Sequence, residues 1–258
     1  MATELPSFAI MGSGGVGGYF GARLTQAGLP VTFIARGAHL AAMRNNGLIV
    51  DDRGETSRIE ARATDTPAEV GRVDFVLFCV KLWDTETAGR MCSPLLGQDS
   101  AVVSLQNGID SEGILQSLLG ENAVMGGVAE ISSTVAAPGH IAVSTPHRMR
   151  FGELDRRASE RGLRLEQALN AAGISFDHSQ DIETEIWRKF VFLVGLSAAT
   201  AVTRRPIGDV RSDPDTRNLL IEVMAEALEV ALRKGIRLAP SLIDDRLAVV
   251  DQDRKSVV

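Results

Sequence analysis

The chain has 258 residues, 45% apolar and 23% charged, enough to bury a sizeable core and to divide into two domains. Its net charge of -6 lacks the basic footprint of a nucleic-acid binder, so no such partner is expected. Cys79 and Cys92 are too few for a disulfide framework and stand at no metal-ligand spacing, which fits a reducing cytoplasm and no metal.

The N-terminus lacks the basic region of a secretory signal. Residues 7–11 form an apolar run that ends in glycines; then Val16, Tyr19, Phe20 and Leu24 recur at helical spacing before Gly28. The pattern predicts strand, turn, helix. Residues 30–35, rich in β-branched side chains, predict a second strand and 39–45 a second helix, completing a βαβ unit. Further strands are predicted at 47–50, 73–80, 101–105 and 123–128, with helices near 86–91 and 111–119. This alternation argues for a parallel, doubly wound sheet. Short extended pieces at 140–144 and 149–152 are expected as antiparallel additions at the sheet edge, followed by a helix at 158–171 and a strand at 174–177. After about Gln180 the pattern is almost wholly helical, with segments at 182–201, 215–234 and 241–250 and a turn from Arg204 to Gly208. The longest apolar stretch, 190–202, is shorter than the roughly 20 residues of a membrane span. It is expected to be a buried helix, with no membrane partner.

The turn Gly12-Ser13-Gly14-Gly15-Val16-Gly17 carries the spacing of a dinucleotide-binding loop. There the first glycine permits the bend, the second admits a pyrophosphate, the third lets helix pack on strand, and the helix start holds the phosphates. An acidic residue about 20 positions on would accept the ribose 2′-hydroxyl of NAD, but Arg36 occupies the end of the second strand. A guanidinium there suits a 2′-phosphate, so NADPH is the expected cofactor. The expected fold is therefore α/β: a Rossmann-type doubly wound parallel sheet over 1–180 that binds NADPH, and an all-helical domain over 181–258. His39, His140, His147 and His178 stand singly, without a carboxylate or nucleophile at an informative spacing. Asp181, Glu183 and Glu185 complement the N-terminal dipole of the long helix.

Three further segments, Phe78-Cys79-Val80-Lys81, Leu105-Gln106-Asn107-Gly108 and Glu185-Ile186-Trp187-Arg188-Lys189-Phe190, follow the glycine turn and Arg36 in order. Together they resemble the ketopantoate reductase (2-dehydropantoate 2-reductase) family over roughly residues 8–235. The resemblance implies an NADP-dependent oxidoreductase that reduces 2-dehydropantoate to pantoate on the route to pantothenate, with 181–258 as the substrate and dimerisation domain and a homodimer as the candidate assembly. It implies Lys189 as general acid, Asn107 near both nicotinamide and substrate, and Lys81 near the nicotinamide ribose, with Asn107, Lys189 and Ser197 on the substrate side. A lysine ammonium in a closed interdomain cleft could both donate a proton and stabilise charge on the ketone oxygen.

Two departures from the family matter. Leu193 and Ser197 replace two asparagines that members commonly carry after the lysine, which points to altered substrate contacts and leaves room for a different 2-oxo acid. Members also continue through a serine and a glutamate; Ser256 falls near the serine, no glutamate follows, and the chain is read as truncated. Two alternatives stand beside the reductase: an NADPH-binding protein without turnover, and a related enzyme acting on a different 2-oxo or hydroxy acid.

Overall fold

Strand β1 (Phe8–Met11) is buried at all four positions, and its side chains feed two different cores. Phe8 and Ile10 join one cluster, Ala9 and Met11 another, as period-2 alternation requires when both faces of a sheet are covered. The computed structural model describes residues 5–252. By its contacts the chain divides into two compact units, Met1–Ile182 and Glu183–Val258.

In the first unit β1 is followed by α1 (Gly15–Gln26), β2 (Val31–Ile34), α2 (Gly37–Asn46), β3 (Leu48–Asp52), β4 (Glu55–Ile59), β5 (Ala63–Thr64), β6 (Val73–Phe78) and α3 (Thr85–Met91). Next come β7 (Leu96–Ser104), α4 (Ser111–Leu119), β8 (Val124–Glu130), β9 (Ser133–Ala137), β10 (His140–Val143), β11 (Arg148–Glu153), α5 (Glu160–Ala171) and β12 (Phe176–His178). The main sheet has the order β12-β11-β8-β7-β6-β1-β2-β5. The six strands from β8 to β5 are parallel, and β11 joins them antiparallel to β8, so the sheet is mixed at one end. The winding reverses between β1 and β6, the point where open α/β sheets bind ligands.

The strand expected at 47–50 and the edge addition expected at 140–144 lie elsewhere. They are β3 and β10 of a separate four-stranded sheet, β4-β3-β10-β9, in which β3 and β10 run parallel. Alternation marks a segment as extended without saying which strand it pairs with. This second sheet lies on α1. A Cβ at Gly15 would come within 2.5 Å of the Ser133 carbonyl oxygen, and one at Gly18 within 2.9 Å of Ile141 Cγ1. On its other side α1 meets the main sheet, where a Cβ at Gly21 would lie 2.4 Å from Phe33 Cε1. Tyr19, fully buried in the same helix, donates from its hydroxyl to Asp52 Oδ2 of β3 (2.9 Å) and accepts from His147 Nδ1 (2.8 Å). Burial and the Asp52 carboxylate push the Tyr19 hydroxyl far above its ordinary pKa, so it stays a donor.

The second unit contains α6 (Ile182–Thr203), α7 (Ile207–Ser212), α8 (Pro214–Arg233) and α9 (Leu242–Gln252). Asp213 caps α8, its carboxylate accepting from the Thr216 N–H at 2.9 Å with Pro214 next in line. Helices α6 and α8 approach so closely at Gly195 that a Cβ there would stand 2.4 Å from Met224 Cγ. A bidentate pair, Arg217 with Asp251 at 2.7 and 2.9 Å, ties α8 to α9. The expectation of a buried helix at 190–202 needs correction. Helix α6 has 22 residues, and the most apolar 18-residue window, with mean hydropathy 1.3, is only 28% buried. By length and composition alone that helix is long and apolar enough to cross a membrane.

Candidate active site

The glycine turn joins β1 to α1 at the winding reversal, and its glycines do three different things. Gly12 has φ +94°, and a Cβ on it would lie 2.8 Å from the Val80 backbone nitrogen, so only glycine makes this bend against the end of β6. At Gly17 a Cβ would stand 2.3 Å from the Gly12 carbonyl oxygen and 2.8 Å from Ile10 Cγ2, so this glycine sets how closely α1 packs on β1. Around Gly14 a Cβ would meet no atom within 4 Å. Nothing in the protein's own packing there demands a glycine, and the space lies open at the start of α1.

That helix start fits an anion. Gly14 is the N-cap residue and offers no side-chain cap, and the first turn holds no acidic residue. The amides of Gly15, Val16 and Gly17 have no acceptor within the helix, and the dipole is uncompensated. Ser13 and Val16 are occupied otherwise at their side chains: Ser13 Oγ donates to the Ile34 carbonyl at 3.0 Å, and Val16 packs on the core. A dinucleotide would meet the backbone of this turn.

A cavity of about 320 Å3 opens beside it, lined by Gly12, Ser13 and Gly14 and by Arg36, His39, Asp65 and Asp84, with Met11, Ile34, Val80 and Met91 among its apolar walls. Arg36 is the N-cap residue of α2 and pairs with Asp84 at 3.0 Å. His39 is anything but isolated. Its Nδ1 accepts the Gly139 N–H at 3.0 Å, so the proton resides on Nε2, which donates to the Ser13 carbonyl at 2.8 Å and braces the turn. The other histidines also have partners distant in sequence: His140 with Asp51 (2.6 Å), His178 with Glu166 (3.2 Å) and His147 with Tyr19. Cys79 sits under the turn, and burial pushes its thiol up to about 12, too high for a thiolate at neutral pH.

Lys81 and Asn107 are exposed on the loops after β6 and β7, at the carboxyl ends of adjacent parallel strands. Gln106, to which the sequence assigns no role, links these loops. Its buried amide donates to the Val80 carbonyl and to Thr85 Oγ1, both at 3.0 Å, and Thr85 Oγ1 lies 2.7 Å from the Leu82 carbonyl. In the second unit Lys189, Leu193 and Ser197 recur every four residues on one face of α6, the first two half-buried and Ser197 exposed. Arg188 pairs with Glu185 at 2.9 Å, and the buried Trp187 meets Phe190 edge to face at 5.5 Å. Ser256 lies outside the described residues.

A mostly parallel sheet in this order, with an uncapped glycine-rich helix start at its winding reversal, defines a dinucleotide-binding α/β fold. The family model described as ketopantoate reductase PanE/ApbA matches residues 8–156, and that described as its C-terminal part matches residues 181–256. The chain belongs to the ketopantoate reductase family. It is 31% identical to the 2-dehydropantoate 2-reductase of Mesorhizobium japonicum over 92% of this chain and 79% of that protein. The crystal structure of 2-dehydropantoate 2-reductase from Porphyromonas gingivalis W83 is 32% identical with a TM-score of 0.89, covering 95% of this chain and 88% of that one. A D-mandelate dehydrogenase solved with NADH and anilino(oxo)acetate shares the fold, with a TM-score of 0.88 at 20% identity over 98% of this chain and 82% of that one.

Proposed function

We propose that this chain reduces the ketone of a 2-oxo acid, 2-dehydropantoate, to the 2-hydroxy acid pantoate with NADPH, in the cytoplasm and on the route to pantothenate. The observation that carries the reading is the open space over Gly14 at an uncapped helix start, with a guanidinium, Arg36, lining the same cavity. The amides of Gly15, Val16 and Gly17 hold the pyrophosphate, and Arg36 takes the 2′-phosphate. Lys81 and Asn107, held in register by Gln106, lie toward the nicotinamide end. A bound nicotinamide supplies the hydride. Lys189 attracts the negative charge that builds on the ketone oxygen and gives it the proton. Family membership supports the substrate, since relatives of about 31% identity carry the name 2-dehydropantoate 2-reductase.

The test follows NADPH absorbance with a panel of 2-oxo acids. Oxidation with 2-dehydropantoate is expected. Oxidation only with other 2-oxo acids would move the substrate, as Leu193 and Ser197 in place of the family's asparagines suggest. Tight dinucleotide binding without oxidation of NADPH by any acid would leave a binding protein and end the reductase reading.

A further inference from the structure

The ionisable groups lining the cavity beside the glycine turn are ill balanced for a phosphate dianion. Among the described residues lining it, Arg36 is the one guanidinium, and Asp65 and Asp84 bring two carboxylates. His39 has both ring nitrogens engaged, Nδ1 by the Gly139 N–H and Nε2 by the Ser13 carbonyl. Asp65 has a partner of its own, Arg44 at 3.8 Å, but Asp84 is turned on Arg36 itself, with Oδ2 3.0 Å from Nη2. We infer that Asp84 is a specificity-determining residue: it occupies the guanidinium that would grip a ribose 2′-phosphate, sets a like charge beside that phosphate, and so keeps NADH competitive with NADPH. The inference rests on the role proposed for Arg36.

Two features give the carboxylate this leverage. Bidentate recognition of phosphate needs two N–H groups of the guanidinium fork, and Asp84 already engages Nη2. In addition, the backbone of Asp84 is held in place beside Arg36. It closes a short 3-10 turn, Leu82–Asp84, with its N–H on the Lys81 carbonyl at 2.9 Å, and the next residue, Thr85, is buried against Gln106. Arg36, by contrast, is 75% exposed at its side chain and free to be recruited by whichever anion holds it better. The pair also pre-orders the arginine, which favours phosphate binding. One long exposed side chain held by a single ion pair gains little from that, however, beside the repulsion of a carboxylate for a group carrying close to two negative charges.

The experiment is a direct binding titration, independent of turnover, of NADPH, NADH, adenosine 2′,5′-bisphosphate and AMP. The proteins are the full chain and its Asp84→Asn, Arg36→Ala and doubly substituted forms. Asp84→Asn is expected to tighten NADPH and the bisphosphate by about fivefold, from release of the guanidinium and removal of the like charge together, with NADH and AMP changed less than about twofold. In the Arg36→Ala background the gain is expected to shrink to about twofold, because only the like charge is then removed. Asp84→Asn that leaves NADPH unchanged, weakens it, or shifts both dinucleotides equally overturns the inference, even where Arg36→Ala weakens NADPH selectively and the cofactor reading survives. Equal weakening of both dinucleotides by Arg36→Ala overturns the role of Arg36 and the inference with it.

Discussion

At Gly17 a single added methyl would sit 2.3 Å from the Gly12 carbonyl oxygen, while on α6 the Lys189, Leu193 and Ser197 side chains stand half-buried or exposed along one face. The first region is specified by the protein's own sterics. Its glycines are dictated by atoms of β1, β6 and the second sheet, with Gly14 as the exception whose empty surroundings point outward to a ligand. Under the proposed function the second region is specified by what it is to touch, so side-chain chemistry carries its meaning and the backbone is an ordinary helix. A scaffold-determined site can be read from packing; a ligand-determined face must be read from the reaction.

The largest effect that would break this contrast lies on α6. Lys189→Ala is expected to lower turnover by about 10²–10⁴-fold, the usual worth of a positioned acid, while NADPH affinity measured by titration stays within about twofold. Turnover close to that of the parent protein would make Lys189 an ordinary helix residue. At the turn, Gly17→Ala is expected to cost about 1–3 kcal/mol or more in denaturant unfolding, because neither the Gly12 backbone nor Ile10 has room to give. Gly14→Ala, placed in open space, should leave the unfolding midpoint unchanged and weaken dinucleotide binding. Equal destabilisation by the two substitutions would erase the distinction between them. Next in size, Gln106→Leu removes the donor to Val80 O and Thr85 Oγ1 from a buried position and should cost about 1–3 kcal/mol, with a raised KM for the dinucleotide as the loops after β6 and β7 lose register.

The smallest effect concerns scaffold alone. Burial acts to raise the Asp74 carboxyl, but hydrogen bonds from Ser7 and Arg164 outweigh it and hold the group below its ordinary 3.8. A carboxylate with a depressed folded-state pKa stabilises the fold above the unfolded value, and that stabilisation is lost as pH falls below about 3.8 and through the folded value. Asp74→Asn should therefore lower stability at neutral pH and flatten the acid limb of a stability-against-pH curve. An acid limb as steep as the parent's would assign acid lability to other groups.

How much of this was legible in the sequence depends on the range of the interaction that makes each feature. The glycine turn, Arg36 at the end of a β-branched strand and the apolar strands β6 to β8 are local patterns, and they could be read. The second sheet could not: β4 and β9 are short and largely exposed, and nothing within 47–50 or 140–144 says that these segments pair with each other, His140 against Ile49. The same reason hid His39, whose partners are Ser13 and Gly139, and Asp84, whose partner Arg36 lies 48 positions away. Gln106 stood in plain view between Leu105 and Asn107, but its work is done on Val80 and Thr85, and no spacing announces that.

Helix α1 holds four glycines, Gly15, Gly17, Gly18 and Gly21, in twelve residues. Each costs about 1 kcal/mol against alanine in a helix, so this segment does not persist as a helix in isolation. It is helical because β1 and β2 lie on one side and β9 and β10 on the other. Synthesis delivers these in order, and β10 ends at Val143. A nascent chain shorter than that has the whole glycine motif and lacks the wall that shapes it, so the cradle proposed for the dinucleotide, though encoded near the start of the chain, is among the later parts of the first unit to be completed.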